Sequence, residues 1–304
     1  MIDIETLFHQ FNGSESSGFP SIHSPVHYSP GGALYLLKPG VALIARPNFN
    51  MQGLAGFLEG FDPSLHFTEY LDDPTKLPDG AQLCKVAGQV CYMSFGRKRT
   101  FNEHAERYFD NLKSSGHGSV LEHASYSLLL YGISRSVTHE MVRHRAGFSF
   151  SQLSQRYVSG RMLRFVERPE YQDDEDLHAQ FLQRIERAAS EYAALTNRLL
   201  EMQQAGVSIL SAEVRTDLRK KVQQSARSVL PNETEAPIVT TGNARAWRHF
   251  IEMRASAHAE TEIRELAVRV FLCLRLVDPV LFSDYTVEQL PDGIYTVKTE
   301  FEKV

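Results

Sequence analysis

The sequence predicts an α+β fold. Predicted strands and helices follow one another irregularly, without the strict alternation that builds a parallel sheet covered by helices. The 304 residues are 42% hydrophobic and 23% charged, which is ordinary globular composition, and a chain of this length can bury a sizeable core. No internal repeat or low-complexity tract is present. The length corresponds to about two domains, although single domains of this size exist.

In the N-terminal half, composition and apolar spacing predict the elements. Residues 13–33 are rich in Gly, Ser, Pro and His, which predicts a loop or irregular arm. Val137, Met141 and His144 recur at helical turn spacing, and Gly116 is a typical stop signal for the helix before it. The predicted elements are a strand at 41–45, a short helix at 50–57, a helix at 103–115, a strand at 125–133 and a helix at 135–145.

In the C-terminal half, charge and proline mark the ends of long helices. Four acidic residues at 173–176 suit the positive end of a helix dipole, so a long helix is expected to run from there to Ala205 and to stop at Gly206. The remaining predicted elements are a helix at about 211–228 closed by Pro231, a strand at 236–241, and helices at 244–254 and 258–276 that end before Pro279.

Charge and cysteine content exclude several classes of protein. The net charge of −5 argues against a general nucleic-acid binder but leaves room for a local basic pocket. The N-terminus does not resemble a signal peptide, and the longest apolar stretch, at 126–133, is too short for a membrane helix. Cys84, Cys91 and Cys273 show no paired spacing, so we expect free, buried thiols and a reducing, cytoplasmic setting.

The most informative segment combines arginines with hydroxyl side chains. Arg143, His144 and Arg145 are consecutive, and if a helix ends there they can converge on the loop that follows, which adds Ser149, Ser151, Ser154 and Arg156. Guanidinium forks and hydroxyls suit a phosphate monoester and a polar heterocycle. A solvated basic helix end is the simpler interpretation, but the aromatic residues Phe148, Phe150 and Tyr157 argue against a free surface.

A second cluster lies about a hundred residues downstream. Arg245 and His249 are four residues apart and share a helix face, and Phe250 and Arg254 share another. Alone, this pattern fits an amphipathic helix whose arginine stems cover apolar surface.

Together these segments resemble the flavin-dependent thymidylate synthase family. Its signature of Arg-His-Arg, a short gap and Ser-x-Arg is matched by Arg143-His144-Arg145 and Ser154-Gln155-Arg156. Further matching blocks, in the family's order, lie at residues 117–123, 226–231, 243–245 and 253–258. The gap before Ser154 holds eight residues where the family has seven, and Gly147 can absorb the extra residue in a turn.

The resemblance implies a fold, a reaction and a set of site residues. It implies a mixed or antiparallel sheet with a helical bundle, with residues 81–304 as the catalytic domain and residues 1–80 as a partly irregular N-terminal extension. FAD would be held by His117, Ser119, Glu122, Arg143, His144, Arg145, Gln152, Asn243, Ala244, Arg245 and His249. The nucleotide dUMP would be held by Glu140, Arg143, Gln152, Leu153, Ser154, Gln155, Arg156, Arg227 and Arg254.

The implied reaction is the reductive methylation of dUMP to dTMP. By resemblance, NADPH reduces FAD, methylenetetrahydrofolate supplies the carbon, and a homotetramer shares its sites between subunits. Arg254 would be the catalytic residue facing the uracil ring. A guanidinium cannot act as an ordinary base at neutral pH, so it would stabilise negative charge as it develops on the ring.

Three other interpretations stay open from the residues alone. A zinc hydrolase would need His-Glu-x-x-His, but after His139-Glu140 the fifth position is Arg143, so we expect no metal site. An RNA-binding protein would be more basic. A flavin enzyme acting on another pyrimidine nucleotide is not distinguished from the dUMP enzyme. Ser154 is better suited to phosphate binding than to nucleophilic attack, because no Asp-His pair flanks it.

Overall fold

A computed structural model describes residues 2–157, 162–204, 215–302 and 304. In these residues the helices are α1 Ile4–Gln10, α2 Ala55–Glu59, α3 Asp79–Tyr92, α4 Ala105–Ser114, α5 Arg135–Met141, α6 Glu175–Gln204, α7 Arg215–Ala226, α8 Ala244–Arg254 and α9 Thr261–Val277. The strands are β1 Gly13–Ser16, β2 Phe19–Ile22, β3 Val26–Tyr28, β4 Leu34–Leu36, β5 Gly40–Ala45, β6 Ser125–Tyr131, β7 Phe148–Gln152, β8 Arg164–Val166, β9 Ile238–Asn243, β10 Tyr285–Gln289 and β11 Tyr295–Thr299.

The strands form one large sheet and two small ones. The large sheet has the order β1-β2-β5-β6-β9-β7, and all its pairs are antiparallel. In the second sheet, of order β3-β4-β8, the β4–β8 pair is parallel, and β10 and β11 form a hairpin. The predicted α+β class with mixed and antiparallel sheets is confirmed.

The main core lies between the large sheet and α8 and α9. Strand β6 alternates, with Tyr126, Leu128 and Leu130 buried on one face, as expected for a strand that covers a core. Helix α9 packs on β2, β5 and α8 and is buried from Glu262 to Leu274. A smaller apolar cluster joins α6 to the second sheet, through residues such as Phe181 and Phe165. None of the described helices combines the length and apolar character needed to cross a bilayer.

The connectivity makes two helix ends meet. Strands β6 and β9 are paired antiparallel, with Ser125 opposite Asn243 and Leu130 opposite Ile238. Helix α5 follows the end of β6, and α8 follows the end of β9 directly, so the two helices leave opposite ends of the strand pair. Both fold back, and their C-terminal ends meet in a contact between Glu140 and Arg254. Chain segments a hundred residues apart therefore build one site.

The predicted loop at residues 13–33 is wrong. It contains β1, β2 and β3, and Ser17 and Gly18, both at positive φ, make the tight turn between β1 and β2. Strand β1 is at the edge of the sheet with Ser14, Glu15 and Ser16 exposed, so it carries no apolar pattern from which a strand could be predicted.

The predicted helix at 135–145 is too long, and the predicted loop after it is partly wrong. Helix α5 ends at Met141, and Arg143, His144 and Arg145 lie in the turn beyond it. Residues Phe148–Gln152 form β7, in which half-buried and exposed residues alternate. Tertiary pairing with β9 ends the helix early, because the chain must turn to enter the strand.

Most other predicted elements are confirmed with small shifts of their ends. The last helix begins at Thr261 instead of 258 because the Glu260 side chain caps it, accepting from the Ile263 N–H at 3.2 Å. The predicted ends at Ala205, Gly206 and 211 lie outside the described residues. The sequence patterns predict no element at α1, β4, α3, β8, β10 or β11. The burial predicted for Cys91 is wrong, since it is exposed, whereas Cys84 and Cys273 are buried and all three are free.

Candidate active site

Arg254 at the end of α8 forms the centre of the site. Its Nε donates to His144 Nε2 at 2.9 Å, and its Nη1 donates to Glu140 Oε2 at 2.6 Å. The guanidinium is 23% exposed, so it is held by two partners while still reaching the surface. Its Nη2 makes no hydrogen bond within the described residues, and a ligand can accept from it.

His144 is a neutral acceptor in this contact. Burial lowers the pKa of His144 to about 4, and the nearby charges of Arg254 and His249 act in the same direction. Because arginine can only donate, Nε2 of the neutral ring is the acceptor and the proton lies on Nδ1. His144 therefore orients Arg254 without competing with it for an anion.

Aromatic rings form the wall behind His144. The His144 ring packs edge-on against Phe250 at 5.5 Å and His249 at 5.8 Å between centroids. Phe148 of β7 packs against Trp247 at 4.8 Å and stacks with Phe150. The expectation that the aromatic residues exclude a free surface is confirmed for Phe148 and Phe150, whereas Tyr157 is exposed.

A cavity of about 360 Å³ lies at the N-terminal end of α8. It is lined by four residues predicted to bind a cofactor, namely Glu122, Asn243, Arg245 and His249, together with Ala146, Gly147, Ala246 and Val304. Arg245 Nη1 pairs with Glu122 Oε1 at 2.7 Å, and the Asn243 side chain caps α8 by accepting from the Ala246 N–H. A helix N-terminus beside an arginine favours an anionic group.

Gly147 allows β7 to approach this cavity. Its φ of +76° lies in the left-handed region, and a Cβ at this position would lie 2.8 Å from Asn243 Nδ2. The carbonyl of Gly147 accepts from the Asn243 N–H at 3.2 Å. The eight-residue gap after Arg145 is thus accommodated by a glycine turn that leads into β7.

Three other predicted cofactor residues lie close to the same end of α8. His117 and Ser119 are exposed in and just before a 3₁₀ helix at Gly118–Glu122, and Gly118 lies under the Arg245 side chain. Ala244 is fully buried, and its N–H donates to the Ala124 carbonyl at 2.7 Å. Its side chain thus packs in the core behind the cavity.

The residues predicted to bind dUMP continue from Glu140 along β7. Gln152 donates from Nε2 to Thr138 of α5 at 3.0 Å, which links the end of the strand to the helix that carries Glu140. Leu153 and Gln155 line a second cavity, of about 300 Å³. This cavity also contacts Leu230, which follows Arg227 in the chain, so the segments around Ser154 and Arg227 border the same space.

Four predicted arginines on these segments have no acidic partner. Among the described residues, the side chains of Arg143, Arg145, Arg156 and Arg227 make no ion pair, and Arg156 only packs over Tyr157. An uncompensated positive charge of this size favours a ligand that brings several negative charges.

Sequence reasoning missed two residues that support the site. Thr138 holds Gln152, and Phe250 packs against His144. For Phe250 the sequence did hold a signal, because Phe250 and Arg254 are predicted to share a helix face. No such signal existed for Thr138, because its partner lies fourteen residues away in a strand that was predicted to be a loop. The described residues contain no cluster of three His, Cys, Asp or Glu side chains that could hold a metal ion.

Comparisons with known proteins agree on one family. The family model described as thymidylate synthase complementing protein matches residues 74–280. The chain is similar to the flavin-dependent thymidylate synthase of Mycolicibacterium gilvum, with 44% identity over 220 residues that cover 72% of this chain and 85% of the relative. It is also similar to the enzyme of that name from Mycobacterium tuberculosis strain H37Rv, with 43% identity over 231 residues that cover 74% and 90%.

A solved structure shares the fold. The UMP/dUMP methylase PolB from Streptomyces cacaoi, bound with 5-Br dUMP, is similar with a TM-score of 0.52 and 20% identity. The likeness covers 81% of this chain and 94% of that one.

Proposed function

Because the chain belongs to the flavin-dependent thymidylate synthase family, we propose that it methylates dUMP to dTMP with Arg254 as the catalytic residue. The observation that carries this proposal is the contact of Arg254 with His144 and Glu140, which joins two sequence blocks of the family in one place. The name that the relatives share and that of PolB, a UMP/dUMP methylase, support a uracil nucleotide as the acceptor, and dUMP is the one that yields thymidylate.

Arg254 would act on the uracil ring by electrostatics. C5 of uracil becomes nucleophilic only when negative charge builds on the ring, and a fixed guanidinium stabilises that charge where it develops. His144 and Glu140 already hold two of the three guanidinium nitrogens, so little reorganisation is needed when the nucleotide binds. Glu140, which holds Arg254, would also contact the nucleotide.

The nucleotide would be held by the residues along and after β7. Ser154, Arg156 and Arg227 would supply a hydroxyl and two guanidinium groups for the phosphate, and neither guanidinium pairs with an acidic side chain in the described part of the chain. Glu140, Arg143, Gln152, Leu153 and Gln155 would surround the base and sugar. Leu153 and Gln155, which flank Ser154, line one cavity together with Leu230, three residues after Arg227, and this supports a phosphate site shared by the two segments.

The donor set at the start of α8 fits FAD. Arg245, Asn243, His249 and Glu122 line a cavity at a helix N-terminus, which suits a diphosphate, and His117 and Ser119 belong to the segment that leads to Glu122. His144, Arg145, Gln152 and Ala244 complete the proposed set, with Ala244 supporting it from the core, and Arg143 would lie between flavin and nucleotide. When bound, FAD would supply the redox chemistry, with NADPH as reductant and methylenetetrahydrofolate as carbon donor.

We also propose a homotetramer with sites shared between subunits, in the cytoplasm. Arg143, Arg145 and Arg156 are exposed and have no acidic partner among the residues that the structure describes, which supports a site that another subunit covers. The three free cysteines suit a reducing compartment.

A direct test is to purify the chain, reconstitute it with FAD and record the flavin spectrum with and without dUMP. We expect yellow protein, a spectral shift on adding dUMP, and dTMP when NADPH and methylenetetrahydrofolate are present. Protein that takes up no flavin would contradict the proposal. Running UMP beside dUMP tests the other pyrimidine acceptor, and stoichiometric zinc in colourless protein would favour a hydrolase.

A further inference from the structure

A buried carboxylate links α9 to the start of α5. Glu262, in the first turn of α9, accepts from the Ser134 N–H at 2.7 Å with Oε1 and from the Ser134 hydroxyl at 2.8 Å with Oε2. Both residues are buried, at 1% and 2% exposure. Two charge-assisted hydrogen bonds to one residue set the distance and the direction between the two helices.

Ser134 transmits this contact to α5. It is the N-cap of the helix, and its Oγ also accepts from the Val137 N–H at 3.3 Å. Helix α5 has only seven residues, so Glu140 lies about two turns from the cap. A displacement of the cap therefore moves Glu140, which holds Arg254.

The contacts close a ring around the site. From Glu262 the ring passes through Ser134 and α5 to Glu140, crosses to Arg254, and returns through residues 255–260 to α9. Each joint is a hydrogen bond or a continuous backbone. Glu262 is thus the point at which α9 sets the position of α5 relative to Arg254.

The surroundings of Glu262 do not neutralise it. Arg168 lies near it but is paired with Glu260, the N-cap of α9, and with Glu170. Burial is the largest effect and raises the pKa of Glu262 to about 7, whereas the Ser134 hydrogen bonds oppose that shift. A well-packed neutral side chain would cost less here, so a buried carboxylate suggests a role in geometry.

We propose that Glu262 is a positioning residue, which clamps Ser134 so that Glu140 and His144 hold Arg254 against the substrate. The second part of this statement depends on the proposed function, whereas the clamp itself does not. Only the carboxylate accepts both Ser134 hydrogen bonds, so the clamp is complete above pH 7 and weakens below it.

The experiment compares Glu262→Gln with Glu265→Gln in the full-length, FAD-loaded protein. Both residues are buried glutamates on α9 one turn apart, but Glu265 pairs with Lys38 and Arg269 and not with Ser134. Glutamine keeps the shape of glutamate but replaces one acceptor by a donor facing the Ser134 hydroxyl. Ser134→Ala removes the hydroxyl, and with it both the bond to Glu262 and the cap of α5, whereas Ser134→Thr keeps the hydroxyl.

We expect Glu262→Gln and Ser134→Ala to lower kcat about tenfold with less than a threefold change in the KM for dUMP, and Ser134→Thr to retain most activity. In the wild type, kcat should fall below about pH 7, and Glu262→Gln should lose this inflection while its thermal midpoint stays within a few degrees. Equal kcat and pH profiles in wild type and Glu262→Gln would overturn the proposal.

Hydrogen exchange gives a readout that needs no turnover. Amides in the last turn of α5 and in residues 255–260 should exchange faster in Glu262→Gln and Ser134→Ala than in wild type or Glu265→Gln. If the wild type makes no dTMP but exchange changes as expected, the clamp is supported and the proposed reaction is wrong. Unchanged exchange in both variants would overturn the clamp whatever the reaction.

Discussion

At the scale of single residues, the site depends on the direction in which hydrogen bonds are donated. His144 stays neutral because its pKa is lowered to about 4, so it accepts from Arg254 throughout the neutral range. Glu140 supplies the negative charge that holds the other side of the guanidinium. Both partners fix Arg254 from the protein side and leave Nη2 for a ligand. A single substitution can test the catalytic role of Arg254.

Arg254→Ala is expected to lower dTMP formation by about 10²–10³-fold or more, because a fixed charge at the reacting ring is lost. FAD should remain bound, since Arg254 does not line the cavity at the start of α8. The measurements are turnover and flavin content per chain. Arg187→Ala is the control, because Arg187 is exposed on α6 and pairs with Glu191 on the same helix, away from Arg254 in the sequence. Full turnover in Arg254→Ala would remove Arg254 from the mechanism.

At the scale of elements, the turn into β7 joins the two arginine clusters. Gly147 adopts a φ of +76°, and its carbonyl bonds to Asn243 at the junction of β9 and α8. The turn therefore places Arg143–Arg145 beside the cavity of Arg245. A side chain at Gly147 would disturb the strand pairing and the cap of α8 together.

Gly147→Ala is expected to lower the free energy of unfolding by about 2–3 kcal/mol and to weaken FAD binding. Gly293→Ala is the matched control, because Gly293 has a φ of +79° but a Cβ added there would meet nothing within 4 Å. It should cost only about 1 kcal/mol, which reflects the backbone conformation alone. Urea denaturation and flavin fluorescence measure the two effects. If Gly147→Ala and Gly293→Ala lost the same free energy of unfolding, the contact of residue 147 with Asn243 would be unimportant for stability.

At the scale of the whole molecule, the N-terminal residues are part of the central sheet. Strands β1, β2 and β5 all precede residue 81, and β5 pairs with β6 along most of its length. Helix α1 contributes Leu7 and Phe8 to the core beside α9. The division of the chain at residue 80 stays a prediction. Because strands from both sides of residue 80 pair in one sheet, removing the N-terminal part tests whether residues 81–304 form a domain.

A fragment of residues 81–304 is expected not to fold alone, because it would expose the edge of β6 and the apolar side of α9. Far-UV circular dichroism and size-exclusion chromatography should show no cooperative unfolding transition and extensive aggregation. The full chain, treated in parallel, is the control. A monodisperse fragment that unfolds cooperatively and binds FAD would establish the division at residue 80.

From the sequence alone, the fold class and most helices after residue 80 could be predicted, and the residues of the site could be proposed. Long helices could be predicted because apolar spacing and caps are local signals, as at Gly116 and Pro279. The family could be identified because its blocks keep residue types at set positions. The family model that matches residues 74–280 confirms this identification.

Only the tertiary structure decided where α5 ends, that 148–152 is a strand, and that β1 joins the large sheet. These depend on pairing with β9 or β2, and the energy of a sheet comes from partners distant in sequence. The same holds for the bonds of Arg254 with Glu140 and His144, and of Glu262 with Ser134, which cross more than a hundred residues. Local patterns cannot encode which remote groups meet, because that is decided by how the whole chain packs.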